Sequence, residues 1–283
     1  MSTSPLTFPA IYRGKVVDNV DPQERGRIRV QVPSILGAEV DSWAMPAEPY
    51  AGPNVGFFAM PPIGADVWVQ FEAGDLTLPV WTGGYWTTKD DVPVSPASPD
   101  VKVFRTEGIF VAHSNYQGDG NPKIGTVEIQ KGFTVRVADP ILSNSFLQLF
   151  MGVDGVIEIN NNDQEIIRMN AQNIQIIKEN QSIITLTKPD ITLATSPCQM
   201  QMLSGSNEIK TQINGSSIDM TTAGIESKHA AGDLNMSDSS IDIKFGGADI
   251  TLSASGISVT YAGASIQLSP MTVTVNEGAL EVT

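Results

Sequence analysis

Apolar residues in the second half of the chain come in pairs separated by one polar residue, and the pairs return about every eight residues. Their starts, from residue 157 to residue 280, define 15 intervals over 123 residues. A short repeat of this kind is typical of a β-solenoid. The pairs include Ile157/Ile159, Ile174/Ile176, Ile184/Leu186, Ile191/Leu193, Met200/Met202, Ile218/Met220, Leu234/Met236, Ile241/Ile243, Ile250/Leu252, Ile257/Val259, Ile266/Leu268, Val273/Val275 and Leu280/Val282.

This repeat predicts a ribbon with two unlike faces. Residues i and i+2 of a strand point to the same side, so each pair places two apolar side chains on one face and leaves polar residues on the other. One such chain cannot enclose a core, whereas three identical chains, each forming one wall of a triangular prism, can. We therefore predict a homotrimeric needle of strands three to five residues long. With about 16 strands at ~4.8 Å each, the needle would be roughly 75 Å long.

The turns of the repeat are predicted at glycines, because glycine tolerates the backbone conformations that tight corners need. The alternative to the needle is a generic β-sandwich, which normally has longer and less regular strands. The predicted turn glycines are Gly205, Gly215, Gly224, Gly232, Gly246, Gly247, Gly256 and Gly263.

The first part of the chain has a different pattern, with short alternating strands divided by turn residues. Strands are predicted over residues 11–17, 27–32, 66–72 and 79–86. Several short strands in fewer than 90 residues are typical of a small barrel such as an OB-fold. The predicted fold class is therefore all-β, with an N-terminal OB-fold barrel followed by an intertwined trimeric β-helix, or β-prism needle.

Composition shifts suggest four segments. The barrel is predicted over residues 1–88 and a Pro/Ser-rich linker over 89–100, where alternating prolines keep the backbone extended. A transitional β region follows over 101–156, and the trimeric needle over 157–283.

Charge and residue usage argue against catalysis and nucleic-acid binding. The net charge is −14, from 31 acidic and 17 basic residues, whereas nucleic-acid binding requires a basic surface. The single cysteine, Cys198, rules out an intrachain disulfide, and the two histidines, His113 and His229, lack ligand-type neighbours at metal spacing. No phosphate-binding loop or nucleophile elbow is present in the sequence. We expect no enzyme activity, no catalytic residues, no metal and no cofactor.

Six runs of residues between positions 12 and 86 carry a more specific signal. They are residues 14–17, 21–22, 26–33, 43–46, 60–75 and 79–83. In this order they resemble the OB-fold of the phage baseplate assembly protein V/Gp5/VgrG family. The eight-residue repeat of the second half resembles the trimeric β-helix that follows the barrel in that family.

The resemblance implies the central baseplate spike of a contractile tail, in a phage or a phage-like injection system. Such a spike is a structural trimer under the tail tube and hub, it penetrates the cell envelope on contraction, and it is synthesised in the host cytoplasm. The 60 to 70 residues between barrel and needle are too few for the lysozyme domain of some relatives. The chain also lacks a His-x-His iron tip, so a separate PAAR-type tip protein is expected. We expect no nucleic-acid partner.

Two other functions remain as alternatives. A glycan-binding or depolymerising tail fibre could also use a triple β-helix, but beyond residue 151 the aromatic residues are only Phe245 and Tyr261, which disfavours sugar stacking. An envelope-degrading enzyme is disfavoured because the additional domain is missing.

Two places are predicted to contact partners. Two barrel loops, residues 18–26 and 46–54, are predicted to contact the hub, and the last residues of the chain to seat the tip protein. The hub residues are Asp21, Pro22, Arg25, Glu48 and Tyr50, and the tip residues are Glu277, Gly278, Leu280, Val282 and Thr283.

Overall fold

The structure is a computed structural model that describes residues 7–37, 42–138, 145–161, 163–179 and 182–276, and the backbone of 280–282. The chain divides into two compact units, Met1–Pro93 and Val94–Thr283. Within the described ranges, no helix is long and apolar enough to cross a lipid bilayer.

The first unit is a closed five-stranded barrel. Its strand order is β1-β2-β3-β7-β6, and β6 pairs with β1 to close it. The β3–β7 pairing is parallel, and the other pairings are antiparallel. The elements are β1 (Tyr12–Asp18), β2 (Ile28–Gln31), α1 (Pro33–Leu36), β3 (Trp43–Pro46), a hairpin of β4 (Ala51–Gly52) and β5 (Val55–Gly56), β6 (Asp66–Phe71), a 3-10 turn (Glu72–Gly74), β7 (Pro79–Gly84) and a 3-10 turn (Lys89–Asp91).

Alternating residues of these strands form the barrel core, as the sequence pattern predicts. The inward residues of β2, for example, are Ile28 and Val30, with exposed fractions of 0 % and 4 %. The four strands predicted in this region overlap β1, β2, β6 and β7, so those predictions are confirmed. The full core consists of Val16, Ile28, Val30, Val32, Ala44, Val67, Val69, Phe71 and Trp81.

The second unit is dominated by one long antiparallel sheet. Its strands neighbour one another in the order β8, β9, β12 and then β13 to β29 in sequence. Its first strands are β8 (Val101–Arg105), β9 (Ile109–Ser114), β12 (Gly132–Ala138) and β13 (Phe146–Gly152), and a separate hairpin contains β10 (Lys123–Ile124) and β11 (Val127–Glu128). The predicted domain limits at residues 88, 100 and 156 stay predictions.

The remaining sixteen strands form the repeat. They are β14 (Ile157–Asn161), β15 (Ile166–Met169), β16 (Asn173–Lys178), β17 (Ser182–Thr187), β18 (Ile191–Thr195), β19 (Cys198–Leu203), β20 (Glu208–Ile213), β21 (Ser216–Thr221), β22 (Gly224–His229), β23 (Gly232–Ser237), β24 (Ser240–Phe245), β25 (Ala248–Ser253), β26 (Gly256–Tyr261), β27 (Ala264–Leu268), β28 (Val273–Val275) and β29 (Leu280–Val282).

The eight-residue period is strict in the middle of the repeat. From β20 to β27 each strand begins eight residues after the previous one, because six strand residues alternate with two-residue turns. Every apolar pair predicted from the sequence lies within one of these strands. Each strand pairs with the next one in the chain, so a single chain forms an uninterrupted sheet. The all-β prediction of a barrel followed by a long β repeat is confirmed.

Three of the predicted turn glycines, Gly224, Gly232 and Gly256, begin strands instead. Gly224 and Gly256 are the first residues of β22 and β26 and have φ values of +147° and +148°. A Cβ at these positions would lie 1.8 Å from the carbonyl oxygen of Met236 and 2.0 Å from that of Leu268. Glycine is therefore required where the neighbouring strand approaches, in addition to any role in the turn itself.

Candidate functional site

One face of the repeat sheet is apolar and has three rows of side chains. Cross-strand pairing from β20 to β27 defines these rows because directly opposed residues share a face. Row 1 contains Ile209, Met220, Ile225, Met236, Ile241, Leu252, Ile257 and Leu268. Row 2, in the middle, contains Thr211, Ile218, Ser227, Leu234, Ile243, Ile250, Val259 and Ile266. Row 3 contains Ile213, Ser216, His229, Gly232, Phe245, Ala248, Tyr261 and Ala264.

This apolar face is open to solvent in the single chain. The exposed fractions are 39 % for Met236, 42 % for Ile243 and 37 % for Val259, values that are high for residues in the middle of a sheet. The apolar pairs of β14 to β18 continue rows 1 and 2 along the same face. A continuous apolar surface of this extent marks an interaction site in a soluble protein. The predicted ribbon with one apolar and one polar face is confirmed.

The opposite, polar face is covered by short ion pairs. Glu158 and Arg168 face each other at 2.6 Å, and Lys210 lies 2.7 Å from Glu208 on the same strand. The hydrogen bond from Lys210 lowers the pKa of Glu208 and raises that of Lys210. Because these groups are partly exposed, the pairs contribute little stability, and their main consequence is a polar face compatible with water.

In the barrel, the predicted hub residue Asp21 is buried and organises its own loop. Its carboxylate accepts hydrogen bonds from the backbone N–H groups of Gln23 (2.9 Å), Arg25 (2.8 Å) and Arg27 (3.2 Å). The Arg27 guanidinium also donates from Nη2 at 2.6 Å and from Nε at 3.1 Å, and it lies over the Trp43 ring. The side chain of Asp21 is 2 % exposed. The loop is therefore held together by a buried Asp21–Arg27 ion pair whose carboxylate is fully hydrogen-bonded.

Acid should destabilise the barrel because it protonates the Asp21 carboxylate of this ion pair. The Arg27 guanidinium, followed by the backbone N–H groups, holds the pKa of Asp21 well below its ordinary value of 3.8. The pKa of Asp66 is lowered by Lys15 and Thr87. The unfolded barrel therefore binds more protons in acid, so this stability is present above about pH 4 and is lost as the pH falls below it.

Tryptophan fluorescence during denaturant unfolding measures this effect, since all four tryptophans lie within residues 1–93. We expect a lower midpoint at pH 3 than at pH 7. In an Asp21→Asn variant the midpoint should depend less on pH. Equal midpoints at pH 3 and pH 7 in the parent chain would contradict a stabilising role of the ionised Asp21.

The other predicted hub residues are near the surface, and two of them share a depression. Arg25 and Glu48 both line it, together with Phe57 and Phe58. Tyr50 is 62 % exposed, and its carbonyl accepts the Phe57 N–H at 2.9 Å at the base of the β4–β5 hairpin. Pro22 is exposed.

Sequence reasoning missed the two phenylalanines, which are 50 % and 73 % exposed. Two adjacent aromatic residues directly after a short glycine-containing hairpin were the available signal.

Two of the five predicted tip residues lie in the last strand of the repeat. Leu280 and Val282 belong to β29, whose backbone pairs with Val275 and Val273 of β28. Glu277, Gly278 and Thr283 lie outside the described residues. In the part of the chain that the structure describes, no three His, Cys, Asp or Glu side chains are grouped to hold a metal ion.

Family models match both ends of the chain. Residues 12–86 match a type VI secretion system/phage-baseplate injector OB domain. Residues 232–281 match a phage baseplate V C-terminal trimerisation domain. The first match coincides with the closed barrel, and the second with β23 to β29 of the repeat sheet.

Other comparisons add little. No curated protein sequence matches the chain. Among solved structures, the chain is similar to the TCP10 domain of Danio rerio CPAP in complex with a peptide of Danio rerio STIL. The identity is 10 % and the TM-score 0.35, over 65 % of this chain and 97 % of that one. A likeness at this level supports no inference.

Proposed function

We propose, on the premise that the chain belongs to the phage baseplate assembly protein V/Gp5/VgrG family, that it is the central spike of a contractile tail or a related injection machine. It acts as a structural homotrimer in the baseplate. The trimer is attached under the hub and tube, and sheath contraction drives it through the target envelope. The injector and trimerisation matches, in this order along the chain, support the assignment.

The uncovered apolar face of the repeat sheet carries the proposal. A sheet with one apolar face must bury it against another layer, and the residues that match a trimerisation domain lie on this sheet. Three copies with their apolar faces toward one axis form a closed prism in which the ion-paired faces meet water. Row 2 is then nearest the axis, because it is the middle row of each wall.

The proposed role is mechanical and requires no catalysis. Pro22, Arg25, Glu48 and Tyr50, with Phe57 and Phe58, are proposed to contact the hub, while the Asp21 carboxylate holds the backbone of that loop in place. A PAAR-type tip protein is proposed to bind the C-terminal end at Glu277, Gly278, Leu280, Val282 and Thr283. Exposed apolar and aromatic side chains beside charged ones are typical of such contact surfaces.

The molar mass in solution tests the trimer. Multi-angle light scattering on the full chain should give about 91 kDa, three times the chain mass of 30.3 kDa. A stable species of one chain mass at micromolar concentration would contradict the proposal.

The position in the particle tests the spike. Electron micrographs of contractile particles decorated with an antibody against this chain should show label at the centre, below the tube. Label confined to peripheral fibres would instead favour the tail-fibre function.

A further inference from the structure

Large and small residues alternate along row 3, and the large side chains form a regular series along one lateral edge of the repeat sheet. Each is the last residue of its strand, and the following strand begins with a small residue on the same row. The large residues recur every sixteen residues, since two strands and two turns separate them. The hairpin pairs are Ile213/Ser216, His229/Gly232, Phe245/Ala248 and Tyr261/Ala264.

The two aromatic members of this series are both more exposed than Ile213, which is 53 % exposed. Phe245 is 71 % and Tyr261 is 66 % exposed. The Phe245 ring lies beside Gly232, where a Cβ would be 3.0 Å from its Cδ2 atom, so the ring leans over the sheet and leaves its outer side uncovered. Aromatic side chains each bury some 150–250 Å² when covered, so this edge lacks a partner layer.

Symmetry determines which edge of a neighbouring copy can cover it. In the proposed trimer all three sheets turn the apolar face toward the axis and run in the same axial direction. The edge with row 3 in one copy must then meet the edge with row 1 in the next copy. Such a head-to-tail contact closes after three copies.

Row 1 has the chemistry to receive an aromatic ring. Met236 and Leu252, which are 39 % and 36 % exposed, alternate there with isoleucines such as Ile257. Methionine adapts its shape readily and makes favourable contacts with aromatic rings. Rotation about the axis does not change the height along it. Row 3 of a given strand in one copy therefore lies at the same axial level as row 1 of that strand in the adjacent copy.

We propose, resting on the trimer of the preceding section, that Phe245 and Tyr261 pack against row 1 of the adjacent copy and form the corner of the prism. The partner is a second copy of this chain, and the contact is directional, because row 3 of each copy meets row 1 of the next.

Disulfide trapping tests the direction. In a Cys198→Ser background, Tyr261→Cys is combined with Ile257→Cys. The two positions are four residues apart on one strand, about 13 Å, which exceeds the ~7 Å that a disulfide can bridge. A disulfide must therefore join two chains, and head-to-tail contacts should give covalent trimers on a non-reducing gel. If row 3 of one copy meets row 1 of the next one strand higher or lower, the disulfide should form with Leu252→Cys or Leu268→Cys in place of Ile257→Cys.

The outcomes separate the corner from the trimer itself. Each single-cysteine variant should stay monomeric on the same gel, and a covalent dimer from Tyr261→Cys alone would overturn the proposal by placing row 3 against row 3. If light scattering shows trimers but none of the pairs forms a disulfide, the corner contact is wrong and the trimer stands. A monomeric parent chain would instead reject the proposed function.

A second measurement does not depend on disulfide geometry. Phe245→Ala/Tyr261→Ala should raise the trimer dissociation constant at least about tenfold, as expected for buried aromatic anchors. The control is Lys244→Ala/Thr260→Ala, whose positions are the adjacent residues on the polar face. Equal changes in the two double variants would contradict a corner role.

Discussion

A Val259→Asp variant is expected to lose the trimer completely. Val259 lies in row 2 of the apolar face and is 37 % exposed in the single chain. In the proposed prism, three aspartates would meet near the axis, where each carboxylate loses its hydration and repels the other two. Burying an unpaired charge costs several kcal/mol per ion, and here this occurs in every chain. Light scattering should show the mass of one chain, or aggregates of it, at micromolar concentration.

The adjacent residue provides the matched control. Ser258 is on the same strand but on the polar face, opposite Thr251 and Gln267. Ser258→Asp introduces the same charge one position away and should leave the trimer mass unchanged. If both variants form trimers, the apolar face is not the interface.

An Asp21→Ala variant should unfold the barrel at a much lower temperature than the parent chain. The change removes the acceptor of three backbone N–H groups and leaves the Arg27 guanidinium, whose side chain is only 13 % exposed, without its carboxylate. Removing one partner of a buried, hydrogen-bonded ion pair is strongly destabilising. For a domain of this size we expect the barrel Tm to fall by more than about 10 °C, as followed by tryptophan fluorescence.

Asp75→Ala is the matched control for this change. Asp75 also organises a barrel turn by accepting the Thr77 N–H at 2.9 Å, but it is exposed. Its replacement should shift the barrel Tm only slightly, and an equally large shift would mean that turn chemistry, rather than the ion pair, sets barrel stability.

The strands could be predicted well because their signal is local. An apolar pair at i and i+2 with turn residues on both sides places a strand, and thirteen of the sixteen strands of the repeat contain one of the predicted pairs, all except β15, β20 and β22. Strand lengths were less accurate: six residues are observed from β19 to β26 where three to five were predicted. The flanking residues that join the ladder, such as Ser240 in β24, are polar and look like turn residues in the sequence.

The barrel loop was harder to predict because its interactions depend on chain closure. Asp21 was predicted as a surface contact, whereas its carboxylate is enclosed by a loop that brings Arg27 back onto it. Hydrophobic periodicity carries no information about such an ion pair. Phe57 and Phe58 are the reverse case. Their apolar side chains suggest core positions in the sequence, and only the fold shows that they are exposed beside the hairpin.

The pairing of each strand with the next gives the repeat a directional response to force. Hydrogen bonds in a sheet run across the strands, which in the proposed needle is along the axis. Compression presses neighbouring strands together, and three walls that brace one another resist buckling. Tension instead loads the ladders in series, so the end strand can detach first and the others can follow one by one. A shaft of this construction transmits a thrust far better than it withstands a pull.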